Sequence, residues 1–160
     1  MKAFLLALLA VTACRSSDDS AILEHEAVAL SKYYWPRLEA VEPRLQQLYK
    51  RGQTIPETVP GFAEVGKRYS EAREAFVQLK NLIGPGPDGK SSVERQAAAA
   101  AKDDRVESLE KLIHETESSL ESGLTVINED LSSVESWIAE YDRVAALTPP
   151  PPPAAPAPQK

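Results

Sequence analysis

The sequence predicts an all-α protein: a long antiparallel helical hairpin, or coiled coil, whose first arm is broken. Three observations carry this. Apolar residues between 20 and 147 recur at alternating steps of three and four, the spacing of a helix seam and not of a strand. Prolines and glycines cluster at a few places that read as breaks, above all 52–61 and 84–89. Charge is segregated. Leu112 to Asp142 holds eight acids and no Lys or Arg, whereas Lys32 to Lys80 holds nine basic residues against six acids. Opposite charges flanking two seams select partner and register. The first two predicted helices together match the last in length, which suits a hairpin. The same pattern is compatible with a compact three- or four-helix bundle in which the last helix breaks near Gly123.

The chain has 160 residues and a net charge of −6, enough for one small domain with tails. Residues 1–13 open with a positive charge at Lys2, continue as an apolar run from Ala3, and end in small residues. That is the layout of a cleaved secretory signal. The run is too short for the roughly 20 residues that a membrane-spanning helix needs. Cys14, the only cysteine in the chain, follows directly, so no internal disulfide can form.

Val11, Thr12, Ala13 and Cys14 resemble the lipobox of bacterial lipoproteins. The resemblance implies cleavage between Ala13 and Cys14, a diacylglyceryl group on the Cys14 sulfur, and acylation of the new amino terminus. The commonest lipobox has Leu where Val11 stands. An anchor of more than one chain is physically apt, since each buried CH₂ contributes about 0.8 kcal/mol and a single chain holds only weakly. In enterobacterial lipoproteins Asp after the cysteine retains the protein in the inner membrane. Arg15 stands there in this chain, which implies the outer membrane. Residues 14–19 are polar after the cysteine and read as a flexible lipidated tether.

The helical domain spans 20–147. Its first helix, about 20–51, carries a stripe of Leu23, Ala27, Leu30, Tyr34, Leu38, Val41, Leu45 and Leu48. Pro36 and Pro43 fall inside it, and each is expected to kink or break the helix. "GQTIPETVPG" then interrupts the chain. The second helix, about 61–83, has a strict heptad seam from Phe62 through Val65, Tyr69, Ala72, Phe76 and Leu79 to Ile83. Gly84 ends it and "GPGPDGK" makes a turn. Ser91 then caps a third helix, with Glu94 as its capping-box partner.

That helix, about 91–147, has a stripe from Val106 to Ala145 with a stutter at Leu120 and a candidate bend at Gly123. Unbroken, it is about 85 Å long. The alanine run 97–101 favours helix but offers little to bury. In the hairpin the turn near Asp88 is the far tip, and Cys14 and Pro149 share the near end. Tyr33, Tyr34 and Trp35 then approach Trp137 and Tyr141. They are expected to pack as an aromatic cluster, and Tyr33, Tyr34, Trp35 and Trp137 are the candidate partner contacts. Residues 148–160, "TPPPPPAAPAPQK", cannot be helix or central strand. They read as a disordered, polyproline-like spacer of roughly 40 Å.

Nothing in the pattern predicts catalysis, a metal site or a cofactor. His25 and His114 lie on different helices without a second ligand at metal spacing. No CxxCH is present, and Met1 is the only methionine, which removes the usual haem ligations of bundles. The glycines of 84–89 sit in a proline-broken turn, not in a strand-to-helix phosphate loop. There is no basic block, so nucleic acid is excluded as a partner. The expected role is a membrane-anchored envelope lipoprotein that scaffolds without catalysing. The alternative is a binding module that docks a secretion, transport or envelope-assembly complex through its body or its proline tail. The layout also resembles the small murein lipoprotein, which implies a link to peptidoglycan through Lys160. "APQK" departs from that family's ending. The expected partners are thus the membrane, an unidentified protein, peptidoglycan, and a second copy of the chain by self-association.

Overall fold

The computed structural model describes residues 17–103 and 105–147. They form five helices and, among the described residues, no strand: α1 Ser17–Glu39, α2 Val41–Gly52, α3 Phe62–Ile83, α4 Ser92–Lys102 and α5 Val106–Leu147. The protein is all-α. Cross-helix contacts fix how the helices run. Tyr34 faces Glu121, Arg44 reaches Asn128 and Glu135, and Arg51 pairs with Asp142. Residue numbers rise together, so α1 and α2 run parallel to α5. Phe62 meets Trp137, Arg68 meets Asp130, and Leu79 lies against Gly123. Here numbers rise on one side and fall on the other, so α3 runs antiparallel to α5. These two have the most extensive contact among the described helices.

The result is a three-armed, up-down-up bundle: α1 with α2, α3 with α4, then α5 alone. The predicted antiparallel packing of the second helix on the last is present. The arms are arranged as in the compact bundle given as the alternative and not as in the two-armed hairpin, although the last helix breaks at 103–105 and not near Gly123. Tyr34 is level with Glu121, so Ser17 is level with residues near 104, while Leu147 lies beyond Arg51. The two ends of the described body are therefore at opposite ends of a bundle roughly 63 Å long, not side by side as the hairpin required.

The cause is a break at 103–105. The amide of Arg105 bonds to the carbonyl of Ala100 at 3.0 Å, the six-residue closure that ends many helices. Arg105 also pairs with Asp103 at 3.0 Å. The predicted 91–147 helix is thus two, and α4 folds back to pack chiefly on α1. Its alanines suit that placement: Ala97 and Ala100 are buried, as is Ala27 of α1, and small side chains let backbones approach. Gly123 does not bend α5, which continues through it. A Cβ there would lie 2.9 Å from Leu79 Cδ1, so the glycine leaves room for Leu79 in the α3–α5 seam.

Of the two prolines, Pro36 lies within continuous α1 and Pro43 explains the first-arm break. Pro43 cannot donate to the carbonyl four residues back, that of Glu39, and its ring crowds that carbonyl. Glu39 is where α1 stops. Ser91 caps α4 as predicted: its side chain accepts from the Glu94 amide at 3.1 Å while Glu94 reaches back to the Ser91 amide. The hydroxyls of Ser31 and Ser91 also lie 2.9 Å apart in a buried contact that ties α4 to α1.

The core runs the length of the bundle. Leu38, Leu109, Leu120, Ile127 and Leu131 are its most enclosed large side chains, each worth about 1.5–3 kcal/mol on burial. Because α5 packs against both other arms, its buried face is wider than a heptad seam. Asp130 is drawn into it beside Leu131 and pairs with Arg68 at 3.4 Å.

Candidate functional site

A wide concavity lies at the end of the bundle where α2 turns into α3. It begins with that connection. "GQTIPETVPG" is a chain of tight turns, with Ile55 bonded to Gly52, Val59 to Pro56 and Phe62 to Val59, all at 3.1 Å. Ile55 is buried in the core, and Gly61 takes the left-handed conformation at φ +86°, which glycine adopts without steric cost. The turn thereby sets Phe62 edge-on to Trp137, with ring centroids 6.3 Å apart. The Trp137 indole N–H donates to the carbonyl of Pro60 at 3.3 Å.

Between α2 and α3 this leaves an open groove of about 1170 Å³, floored by Val134, Trp137 and Ile138 of α5. Tyr49 of α2 stacks on Tyr69 of α3 at 6.2 Å, and the Tyr69 hydroxyl donates to the Leu45 carbonyl at 3.1 Å. Burial pushes the Tyr69 hydroxyl's pKa above its ordinary value, and the nearby Arg73 guanidinium opposes that shift. Tyr49 is 54% exposed and Val77, at the far end, 44%. Arg73, Glu74 and Glu57 supply the polar margin. Aromatic faces, an apolar floor and a few charges at the rim give the groove the lining of an apolar binding surface. It presents no nucleophile paired with a base.

The aromatics singled out in the sequence are not gathered into one cluster. Tyr33 is exposed and stacks under the Arg37 guanidinium at 4.0 Å. Tyr34 is buried, edge-on to Tyr33 at 5.0 Å, with its hydroxyl 3.4 Å from Glu121. Burial first, then the charges of Glu121 and Glu117, push its pKa up to about 12. Trp35 is half-buried and its ring fills the space beside Gly84. Trp137 stacks on Tyr141 at 6.2 Å, about 24 Å further along the bundle by helix rise. The expected meeting of Tyr33–Trp35 with Trp137 followed from the hairpin and fails with it, because the first arm runs parallel to α5. Ala13, Cys14 and Lys160 lie outside the described residues.

Tyr49, Phe62 and Tyr69 were missed as a site. Phe62 and Tyr69 are seam positions in the sequence pattern, and Tyr49 carries no assignment there. The available signal was that Tyr49 and Tyr69 flank one loop that itself carries Ile55 and Val59 among its breakers. His25 and His114 are both exposed, on α1 and α5. Among the described residues no group of three His, Cys, Asp or Glu side chains is arranged to hold a metal ion, and no helix is long and apolar enough to cross a membrane. No family model, curated protein or solved structure matches the chain.

Proposed function

We propose that the chain is a lipid-anchored bacterial envelope protein with a non-catalytic scaffolding role, its helical bundle held at the outer membrane through Cys14. The observation that carries this is the lipobox-like "VTAC" at 11–14 behind a short apolar run, with polar residues next and a bundle starting at Ser17. The non-catalytic part is supported by ionisable side chains that lie mostly on helix exteriors, the two histidines among them. The test is fractionation of a Gram-negative host expressing the chain and its Cys14→Ser variant, with radiolabelled palmitate. The natural chain enters the outer-membrane fraction and takes up label, and the variant does neither. Equal, label-free distribution of both would overturn the reading.

A link through Lys160 to peptidoglycan is a separate claim. Detergent-boiled sacculi, digested with a muramidase, yield a muropeptide on the 148–160 peptide if it is made. A second reading, a module that docks an envelope complex, is favoured by the open aromatic groove. It requires that Val77→Asp, at the rim, release the partner while the anchor remains.

A further inference from the structure

We propose that the aromatic groove between α2 and α3 is the docking site for residues 148–160 of the same chain, so that the proline-rich segment covers the body's own binding surface. The inference stands whether or not Cys14 is lipidated. It rests first on position. Near its end α5 lies beside Arg51, where Asp142 pairs with it, and α5 stops at Leu147, just beyond Arg51. That is the same end of the bundle as the groove. Trp137 lies ten residues back along α5, about 15 Å by helix rise, and the groove from Phe62 to Val77 is about 22 Å long.

The segment's length fits those distances. Residues 148–160 contain seven prolines, and at about 3.1 Å per residue in the polyproline conformation they measure roughly 40 Å. Turning back at Thr148 uses about 15 Å to reach Trp137 and leaves about 25 Å, enough for the groove. Lys160, the segment's only charged side chain, then ends just past Val77, within side-chain reach of Glu74.

Chemistry agrees with position. Polyproline segments bind grooves lined by aromatic rings because their conformation is already set and little ordering entropy is lost. Tyr49, Tyr69, Phe62 and Trp137 supply such rings, and Tyr49 keeps more than half its surface exposed. A second copy, or a foreign proline-rich chain, offers the same chemistry. The chain's own segment has the advantage of tethering, which for a short linker corresponds to an effective concentration in the millimolar range. That decides the occupant.

The experiment compares the full chain with one ending at Leu147, which keeps all five helices. Amide and indole nuclear magnetic resonance spectra are recorded for both, in a Trp35→Phe background so that Trp137 gives the only indole signal. Truncation is expected to shift the Trp137 indole and the Tyr49 and Tyr69 ring signals. A synthetic 148–160 peptide then returns them, saturably, to their full-chain positions. In the full chain, P150S/P152S and Val77→Asp each reproduce the truncated spectrum without loss of helical circular dichroism. Identical groove signals in full and truncated chains, with no response to millimolar peptide, would overturn the proposal. So would groove shifts that grow with protein concentration while the sedimenting mass doubles, because the occupant would then be a second copy.

Discussion

Ser31 and Ser91, sixty residues apart in sequence, offer the sharpest mutational test of the fold. Ser91→Ala removes the side-chain acceptor for the Glu94 amide, a cap worth about 1 kcal/mol. It also leaves the buried Ser31 hydroxyl without its partner, a further cost of about 1–3 kcal/mol, reduced where that hydroxyl turns to a carbonyl of its own helix. The single variant is therefore expected to lose about 2–3 kcal/mol. Ser31→Ala is milder, about 1 kcal/mol, because Ser91 still caps α4. The double variant leaves no hydroxyl stranded and is expected to be less destabilised than the sum by about 1–2 kcal/mol. The assay is urea unfolding followed by circular dichroism, on the purified chain without residues 1–14. For a domain of this size each kcal/mol also moves Tm by about 3–5 °C. Costs that simply add, within about 0.3 kcal/mol, would refute the packing of α4 on α1. A hairpin, which holds these residues far apart, predicts that additivity.

Three other outcomes follow from single features. Gly61→Ala places a methyl 2.8 Å from Trp137 Nε1 at a left-handed position, so it is expected to cost about 1–3 kcal/mol and to alter Trp137 emission. Gly52→Ala, with nothing within 4 Å, is expected to be neutral or slightly stabilising; equal costs for the two would contradict the geometry. Leu120→Ala, in the closed core, is expected to lose about 2–5 kcal/mol by denaturant unfolding, whereas Val126→Ala on the exposed face changes little. Tyr34 gives a pH signature. Its folded pKa is pushed up to about 12, against about 10 for an unfolded tyrosine. Its contribution is whole below pH 10 and is lost as pH rises through 12, because the unfolded chain releases the proton first. Tyr34→Phe should flatten part of that fall, and an unchanged stability profile above pH 10 would count against a buried hydroxyl beside Glu121.

The positions of the helices were legible because periodicity and breakers report on local structure. The seam from Phe62 to Ile83 and the capping box at Ser91 and Glu94 are set by residues within a few turns of one another. How the arms meet was harder to read. The decisive signal was "KDDR": two consecutive aspartates, poor helix formers, follow the alanine run, and the α5 stripe starts only at Val106. The alanine run offers little area to bury, yet Ala97 and Ala100 are enclosed because close backbone approach buries a methyl fully. Asp130 counts in the sequence as one of the acids flanking a narrow seam, whereas a helix packed on two sides draws it into the buried face. The groove was the least legible part. It is made by rings from α2, α3 and α5 that only the three-dimensional arrangement brings together, and the aromatics that stood out in sequence, Tyr33 to Trp35, lie elsewhere.

The anchoring claim is tested most directly by the mass of the mature protein. Purified from the membranes of a lipoprotein-processing host, the chain is predicted to begin at Cys14 and to exceed the mass of residues 14–160 by a diacylglyceryl group and one further acyl chain, both carried on the N-terminal peptide. A chain that retains residues 1–13, or begins near Cys14 with an unmodified thiol, would contradict the account.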